Sequence, residues 1–190
     1  RNANPDLKWE IKKTFNVGVD LSLFSGRFLL TLDYYNAKTK DMLYLYDVSV
    51  PPFAYDKLLA NLGAMRNSGL EIGLAGILLR NKDVELNLGV NLAFQQNKLL
   101  SLSGMYRGEY LSAPAYQPIT SLTGAGFHGG NNNIVYQIVG QPLGVFYLPH
   151  CKGLIKNGDG TYRYDIADLD GDGVVNIEDG GDRYIAGQAT

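Results

Sequence analysis

Apolar and polar residues alternate along a segment near the middle of the chain, from 84 to 95. The even positions are all apolar: Val84, Leu86, Leu88, Val90, Leu92 and Phe94. The odd positions carry Glu, Asn, Gly, Asn, Ala and Gln. Because successive side chains of a strand point to opposite faces, this segment predicts a β-strand with one apolar face and one polar or small face. Such a strand has lipid or a protein core on one side and water on the other.

The same period of two recurs in three further segments. It predicts four antiparallel strands in two hairpins within residues 1–100. Short polar turns at Ser25-Gly26 and at 81–83 close the hairpins, and a longer connection with Pro51 and Pro52 joins them. The predicted strands cover residues 7–23, 27–46, 69–79 and 84–100.

The clean alternation stops after Leu100. Residues 101–133 are rich in Ser, Gly, Asn, Tyr and Pro. Outer-membrane barrels join their strands by short periplasmic turns and long extracellular loops. On that rule the two tight turns are periplasmic, and residues 101–190 are predicted to be mainly an extracellular loop region that includes the Asp-rich loop 168–179.

The apolar face of the four strands has two possible environments. If it contacts lipid, the strands are part of a transmembrane β-barrel, and strands outside this sequence complete it, because four to six strands cannot close a barrel and an open sheet edge is prohibitive in hydrocarbon. If it contacts a core, the chain is a soluble β-sandwich. On the first interpretation the following residues face lipid: Val17, Val19, Leu30, Leu32, Leu86, Leu88 and Val90.

Composition narrows the function classes. Of the 190 residues 45% are apolar, yet no apolar run approaches the ~20 residues of a membrane helix. The net charge of −2 gives no basic footprint for nucleic acid. The 13 tyrosines fit either a chain at a membrane–water interface or a Tyr-rich soluble sheet, and composition does not choose between the two. The sequence starts at Arg1 without Met or signal peptide, so we interpret it as a fragment. His150 and Cys151 would point to opposite faces, so no catalytic site and no enzyme are predicted.

One motif carries ligand chemistry, the loop 168–179. It places side-chain oxygens at loop positions one, three, five, nine and twelve and Gly173 at position six, where a calcium loop turns sharply. Position twelve is Asp rather than the usual bidentate Glu. The loop predicts either a bound Ca²⁺ that rigidifies it or an Asp/Gly-rich turn without an ion. The predicted ligands are Asp168, Asp170, Asp172, Val174 (through its carbonyl), Asn176 and Asp179.

Four aromatic residues of the predicted loop region form a second candidate set: Tyr106, Tyr110, Tyr116 and Phe127. Exposed aromatic rings can stack on the apolar faces of sugars. Aromatic rings also stabilise loops by packing. Both interpretations are open at this point, and packing is the more common role.

Five segments, in order along the chain, resemble one family: residues 4–10, 15–20, 32–41, 67–72 and 140–147. They read NPDLKWE, FNVGVD, LDYYNAKTKD, NSGLEI and GQPLGVFY. Together with the Asp-rich loop that follows them, these segments are similar to the barrels of SusC/RagA-type TonB-dependent outer-membrane transporters.

The resemblance implies a barrel of 22 strands in the outer membrane of a Gram-negative cell, plugged by an N-terminal domain. It implies energised uptake of a bulky nutrient, usually an oligosaccharide and sometimes a peptide. It also implies a SusD-like surface lipoprotein as partner and contact with the TonB complex through the plug domain, which this sequence lacks. The alternative hypothesis is a soluble, calcium-stabilised β-sandwich that binds carbohydrate.

Overall fold

The structure is a computed structural model that describes residues 1–121 and 133–188. In these ranges the regular secondary structure consists of β-strands. None of the described residues forms a helix long and apolar enough to cross a membrane. The chain divides into two compact units, Arg1–Ser112 and Ala113–Thr190.

The first unit is a single antiparallel sheet in which each strand pairs with the next along the chain. The tight turns predicted around Ser25-Gly26 and 81–83 are present, and the turn at 24–27 uses positive φ at Phe24, Ser25 and Gly26. The prediction of an all-β, antiparallel fold is confirmed. The strands are β1 (Ile11–Leu23), β2 (Phe28–Asp47), β3 (Lys57–Arg80), β4 (Glu85–Tyr106) and β5 (Glu109–Ser112).

The pairing register aligns the apolar residues of four strands into rows. One row runs Val19, Leu32, Ile72, Leu92, and the next runs Leu21, Leu30, Leu74, Val90. We call the side that carries these rows the apolar face. The opposite side, the polar face, carries rows such as Asp20, Thr31, Gly73, Asn91.

β2, β3 and β4 are 20, 24 and 22 residues long, whereas a tilted strand crosses a bilayer in about 9–11 residues. The ends of the strands away from the tight turns carry the buried residues of this unit, among them Tyr46, Leu58, Leu99 and Leu102. Close to these ends the N-terminal segment binds along the sheet, where Asn4 Nδ2 donates to the Leu59 carbonyl at 2.8 Å. The long strands therefore combine an exposed section with a section that has its own core.

Two predicted strand limits are wrong. The third strand starts at Lys57 rather than near residue 69, and the fourth continues to Tyr106 rather than ending near residue 100. The start of β3 was missed because its apolar-face positions 66 and 68 are Arg and Ser, so no apolar alternation marks this section of the strand. The end of β4 was missed because β4 carries an extra residue opposite Ala64 and Met65, between Leu99 and Ser101, so its alternation changes phase although the strand continues.

One close approach on the polar face depends on a glycine. Tyr35 of β2 pairs with Gly69 of β3, and the outer part of the Tyr35 ring lies over Gly69. A Cβ at position 69 would be 2.7 Å from the Tyr35 ring atoms and its hydroxyl. Glycine is thus required for this tyrosine to lie against the neighbouring strand.

The second unit contains two small sheets, although residues 101–190 were predicted to be mainly loop. The remaining strands are β6 (Tyr116–Ser121), β7 (Asn133–Ile138), β8 (Val145–Pro149), β9 (Cys151–Lys156), β10 (Tyr162–Ile166) and β11 (Arg183–Gln188). One sheet has the order β11-β8-β7-β6, and β9 pairs with β10. Their segments of five or six residues are too short, and too often interrupted by Gly and Pro, to show a clear period. Tyr136, Val145 and Tyr147 form the core.

Candidate functional site

The apolar face of the first unit is exposed to its surroundings. Among the seven predicted lipid-facing residues, Val17 is 51% exposed, Leu86 51% and Val90 38%. Val19 and Leu88 are also exposed, whereas Leu30 and Leu32 are half-buried between neighbouring side chains. All five strands of the unit belong to the one sheet, so the unit provides no second sheet to cover this face. An uncovered apolar face of this size marks an interaction with another apolar phase.

The polar face forms an open groove. Its lining includes Thr14, Asn16, Asp33, Glu71 and Gln95. Carboxylates, amides and hydroxyls side by side on one face suit an aqueous lumen, since interior faces of large barrels are polar. The two faces together have the sidedness of a barrel wall.

Arg183 organises the second unit and was not singled out in the sequence. Its side chain is fully buried and lies between the rings of Tyr136 and Tyr147, 4.9 and 5.0 Å from their centroids. Nη1 donates to the Tyr136 hydroxyl at 2.9 Å and to Asp179 Oδ1 at 3.1 Å. Nη2 donates to the carbonyls of Asn133 and Tyr147, at 2.6 Å each. One guanidinium therefore ties three strands and the end of the Asp-rich loop together.

The Asp-rich loop departs from the predicted ligand arrangement at position twelve. Asp179 accepts from Arg183 and from the Tyr136 hydroxyl (2.6 Å). Asp182, beyond the motif, lies with Asp168 and Asp170 instead, and carboxylate oxygens of these three residues are within 4.8 Å of one another. Because Ca²⁺–oxygen distances are 2.3–2.6 Å, oxygens at this separation can share one cation.

The side chains of two further predicted ligands accept hydrogen bonds from backbone amides of the loop. Asp172 Oδ1 accepts from the Val174 amide at 2.7 Å, and Asn176 Oδ1 accepts from the Glu178 amide at 3.0 Å. Gly173 has a φ of 85°, as a sharp turn at position six requires. The loop is thus already shaped by its own hydrogen bonds.

Asp182 is the residue of this loop that sequence reasoning missed. It is buried and accepts from the amides of Asn176 (2.8 Å), Leu169 and Asp170. These backbone hydrogen bonds, the one from Asn176 most of all, hold the pKa of the Asp182 carboxyl below its usual value. The twelve-residue calcium-loop template ends at position 179, before Asp182. Only the three-dimensional structure shows that the chain brings Asp182 back to the loop.

Calcium binding by this loop stays a prediction. We expect Asp168→Asn combined with Asp170→Asn to remove calcium-dependent protection of the amides of 168–182 from hydrogen exchange in the full-length protein, because Ca²⁺ would lose two anionic ligands. Folding of the first unit should be unaffected. Asp56→Asn combined with Asp83→Asn changes the charge equally at two exposed sites and should leave the protection intact. Equal exchange with calcium and with a chelator in the unsubstituted protein would refute calcium binding.

Among the described residues, Tyr106 and Tyr110 of the candidate aromatic set lie in the first unit and Tyr116 lies in the second. Tyr106 ends β4 and is buried, with its hydroxyl 3.0 Å from Asn4 Oδ1. Tyr110 is exposed in the same unit and bonds Ser103. Tyr116, in the second unit, stacks on Tyr147 with ring centroids 5.0 Å apart. Phe127 lies outside the described residues. Tyr106 and Tyr116 are packed against neighbouring residues, whereas the ring of Tyr110 is exposed. Stacking of a sugar on Tyr110 stays a prediction.

Comparison with known proteins agrees with the two-faced sheet. The family model "TonB dependent receptor-like, beta-barrel" matches residues 1–184. TonB-dependent receptor P3 of Formosa agariphila is 29% identical, over 99% of this chain and 18% of its own length. TonB-dependent receptor SusC of Bacteroides thetaiotaomicron is 27% identical, over 96% of this chain and 17% of its own.

A solved structure shares the fold. It is that of the RagAB peptide importer in its "closed-closed" state, which aligns with a TM-score of 0.58 and 21% identity over 87% of this chain and 17% of that one. The chain thus spans less than a fifth of the length of these relatives. The exposed apolar face, the polar groove and the match over residues 1–184 lead to one conclusion: the chain belongs to the TonB-dependent receptor β-barrel family, and within it is SusC/RagA-like.

Proposed function

We propose that this chain forms part of the wall and part of the extracellular region of an outer-membrane importer. The observation that carries the proposal is the sheet of β1–β4, with exposed apolar rows on one face and a polar groove on the other. Lipid satisfies the first face and an aqueous lumen the second. The relatives are receptors rather than enzymes, in line with the prediction of a non-catalytic chain.

The orientation follows from connection lengths. The turns at 24–27 and 81–84 are short and lie on the periplasmic side, whereas the β2–β3 connection, 48–56, is longer and lies outside. The buried strand ends around Tyr46 and Leu99 would then project beyond the outer leaflet. The second unit follows β5, so it would belong to the extracellular side.

We further propose that the complete receptor takes up a bulky nutrient, an oligosaccharide in the first instance, together with a SusD-like surface lipoprotein and with energy from TonB. Support comes from the similarity to SusC and from the fold shared with the RagAB peptide importer. A peptide substrate is the second candidate for the same reason.

Uptake by the complete receptor tests the proposal. Cells that lack the gene should lose uptake of the cognate oligosaccharide and regain it with a plasmid copy. The same copy without the TonB-contacting segment of its plug should fail, although it reaches the outer membrane. Uptake that persists without the receptor, or without TonB contact, would contradict energised import. A pull-down on the intact receptor, expected to recover a surface lipoprotein, tests the partner separately.

A further inference from the structure

Four basic residues lie side by side across the sheet on the apolar face. Lys13 pairs with Lys38, Lys38 with Arg66, and Arg66 with Lys98. Neighbouring strands are about 4.8 Å apart, so the row extends over roughly 15 Å. All four side chains are exposed. We call these four residues the basic row.

The basic row lies at one edge of the apolar band. Counting from the tight turns, the residues of β1 on this face are Leu23, Leu21, Val19, Val17, Phe15 and then Lys13. From Leu23 to Phe15 the strand covers about 26 Å at ~3.3 Å per residue, or about 20 Å of height at a tilt of ~40°, close to the ~25 Å apolar band of outer-membrane barrels. Phe15 is 63% exposed and Phe94 61% exposed below the row. The basic row therefore begins where hydrocarbon gives way to headgroups.

No carboxylate of the described strands compensates this charge. On the apolar face, positions 11–23 of β1, 28–40 of β2, 64–76 of β3 and 88–98 of β4 include no Asp or Glu. The ion pairs found among the described residues involve other cations, and Arg66 donates instead to the amide oxygen of Asn36, 3.1 Å away. Like charges directly opposite on paired strands are destabilising. Anions from outside the sheet would therefore stabilise this four-membered cationic row.

We propose that the basic row binds the phosphate groups of anionic lipid headgroups in the outer leaflet. This inference rests on the proposed function, because it places the apolar face in lipid and the basic row on the side of the β2–β3 connection. Phosphate is the anion present in high density at that depth, and Lys and Arg bind it through charge-assisted hydrogen bonds. A nutrient in the lumen cannot reach these residues, since they lie on the opposite face from Asp33 and Glu71.

Native mass spectrometry of the full-length receptor, loaded from mixed micelles of phosphatidic acid and phosphatidylcholine, tests the inference. The unsubstituted receptor should retain phosphatidic acid in preference to phosphatidylcholine. Replacing the whole basic row with glutamine should abolish that preference (Lys13→Gln, Lys38→Gln, Arg66→Gln and Lys98→Gln). Each lost cation should lower the affinity for phosphatidic acid roughly fivefold. The matched control neutralises four exposed cations elsewhere: Lys12→Gln, Lys82→Gln, Lys156→Gln and Arg163→Gln. It should retain the lipid as the unsubstituted receptor does.

The possible outcomes separate the two proposals. A boiling-dependent mobility shift on gels reports a closed barrel. If the unsubstituted receptor shifts but shows no preference for phosphatidic acid, or if both fourfold variants lose it equally, the basic row does not bind lipid phosphate. Displacement of the lipid by an equal concentration of inorganic phosphate would assign the row to the free ion and overturn the lipid assignment. Without any mobility shift, the proposed function itself fails, and this inference with it.

Discussion

Val90→Arg is expected to destabilise the assembled barrel by about 2–4 kcal/mol, the cost of a cation near the bilayer midplane. Val90 is the middle one of the alternating apolar positions 86–94 of β4 and pairs with Leu74. Both side chains point to the exposed apolar face. The measurement is a guanidinium titration of the full-length receptor in phospholipid vesicles, with the folded fraction read from the heat-dependent mobility shift.

Asn91→Arg is the matched control. Asn91 is the next residue of the same strand, is exposed and lies on the polar face, in the row with Thr31 and Gly73. An arginine there points to water and should shift the titration midpoint little. Equal losses for the two variants would mean that the two faces do not differ in environment, which contradicts the membrane assignment.

Arg183→Ala is expected to destabilise the second unit by about 3–5 kcal/mol, because it removes the donor shared by two buried and two partly buried acceptors. The acceptors are the carbonyls of Asn133 and Tyr147 and the oxygens of Tyr136 and Asp179. The substitution also removes the cation between the two tyrosine rings. Hydrogen exchange of the amides of β7, β8 and β11 in the intact receptor measures the loss as a lower free energy of local opening.

Two further substitutions show whether the guanidinium itself is responsible. Arg163→Ala removes an exposed arginine of β10 and should leave the exchange of β7, β8 and β11 unchanged. Arg183→Lys keeps the charge but cannot donate along two planar edges at once, so it should recover only part of the stability. Full recovery by lysine would mean that charge, rather than the forked geometry, holds the unit together.

The strands that the sequence predicts well are those with one continuous environment on each face. From Asn87 to Phe94 the pairing of β4 with β3 has no register shift, so the period of two is visible directly. Beyond Lys98 the same strand passes a bulge, and its buried residues Leu99 and Leu102 no longer have the same parity. The change from an exposed to a packed section, and not the end of the strand, removes the pattern.

The site could be predicted only as far as local spacing defines it. Asp168 and Asp170 follow the loop template and lie together in the structure, whereas the third carboxylate of their cluster is Asp182. The partners of Arg183 lie 36 and more positions away along the chain, with the exception of Asp179. Contacts of that sequence separation follow from tertiary packing, and no periodicity or short motif encodes them.

The contact of Tyr35 with Gly69 has a consequence for the space that the barrel encloses. A tyrosine ring that projected from the wall would occupy space in the polar groove, beside Asp33 and Glu71. Resting on a residue without a side chain, the ring stays within the thickness of the wall. Gly69 thus helps to set the distance between the wall and whatever occupies the interior. A larger residue at position 69 would push the Tyr35 ring away from the wall, and the displaced ring would narrow the interior.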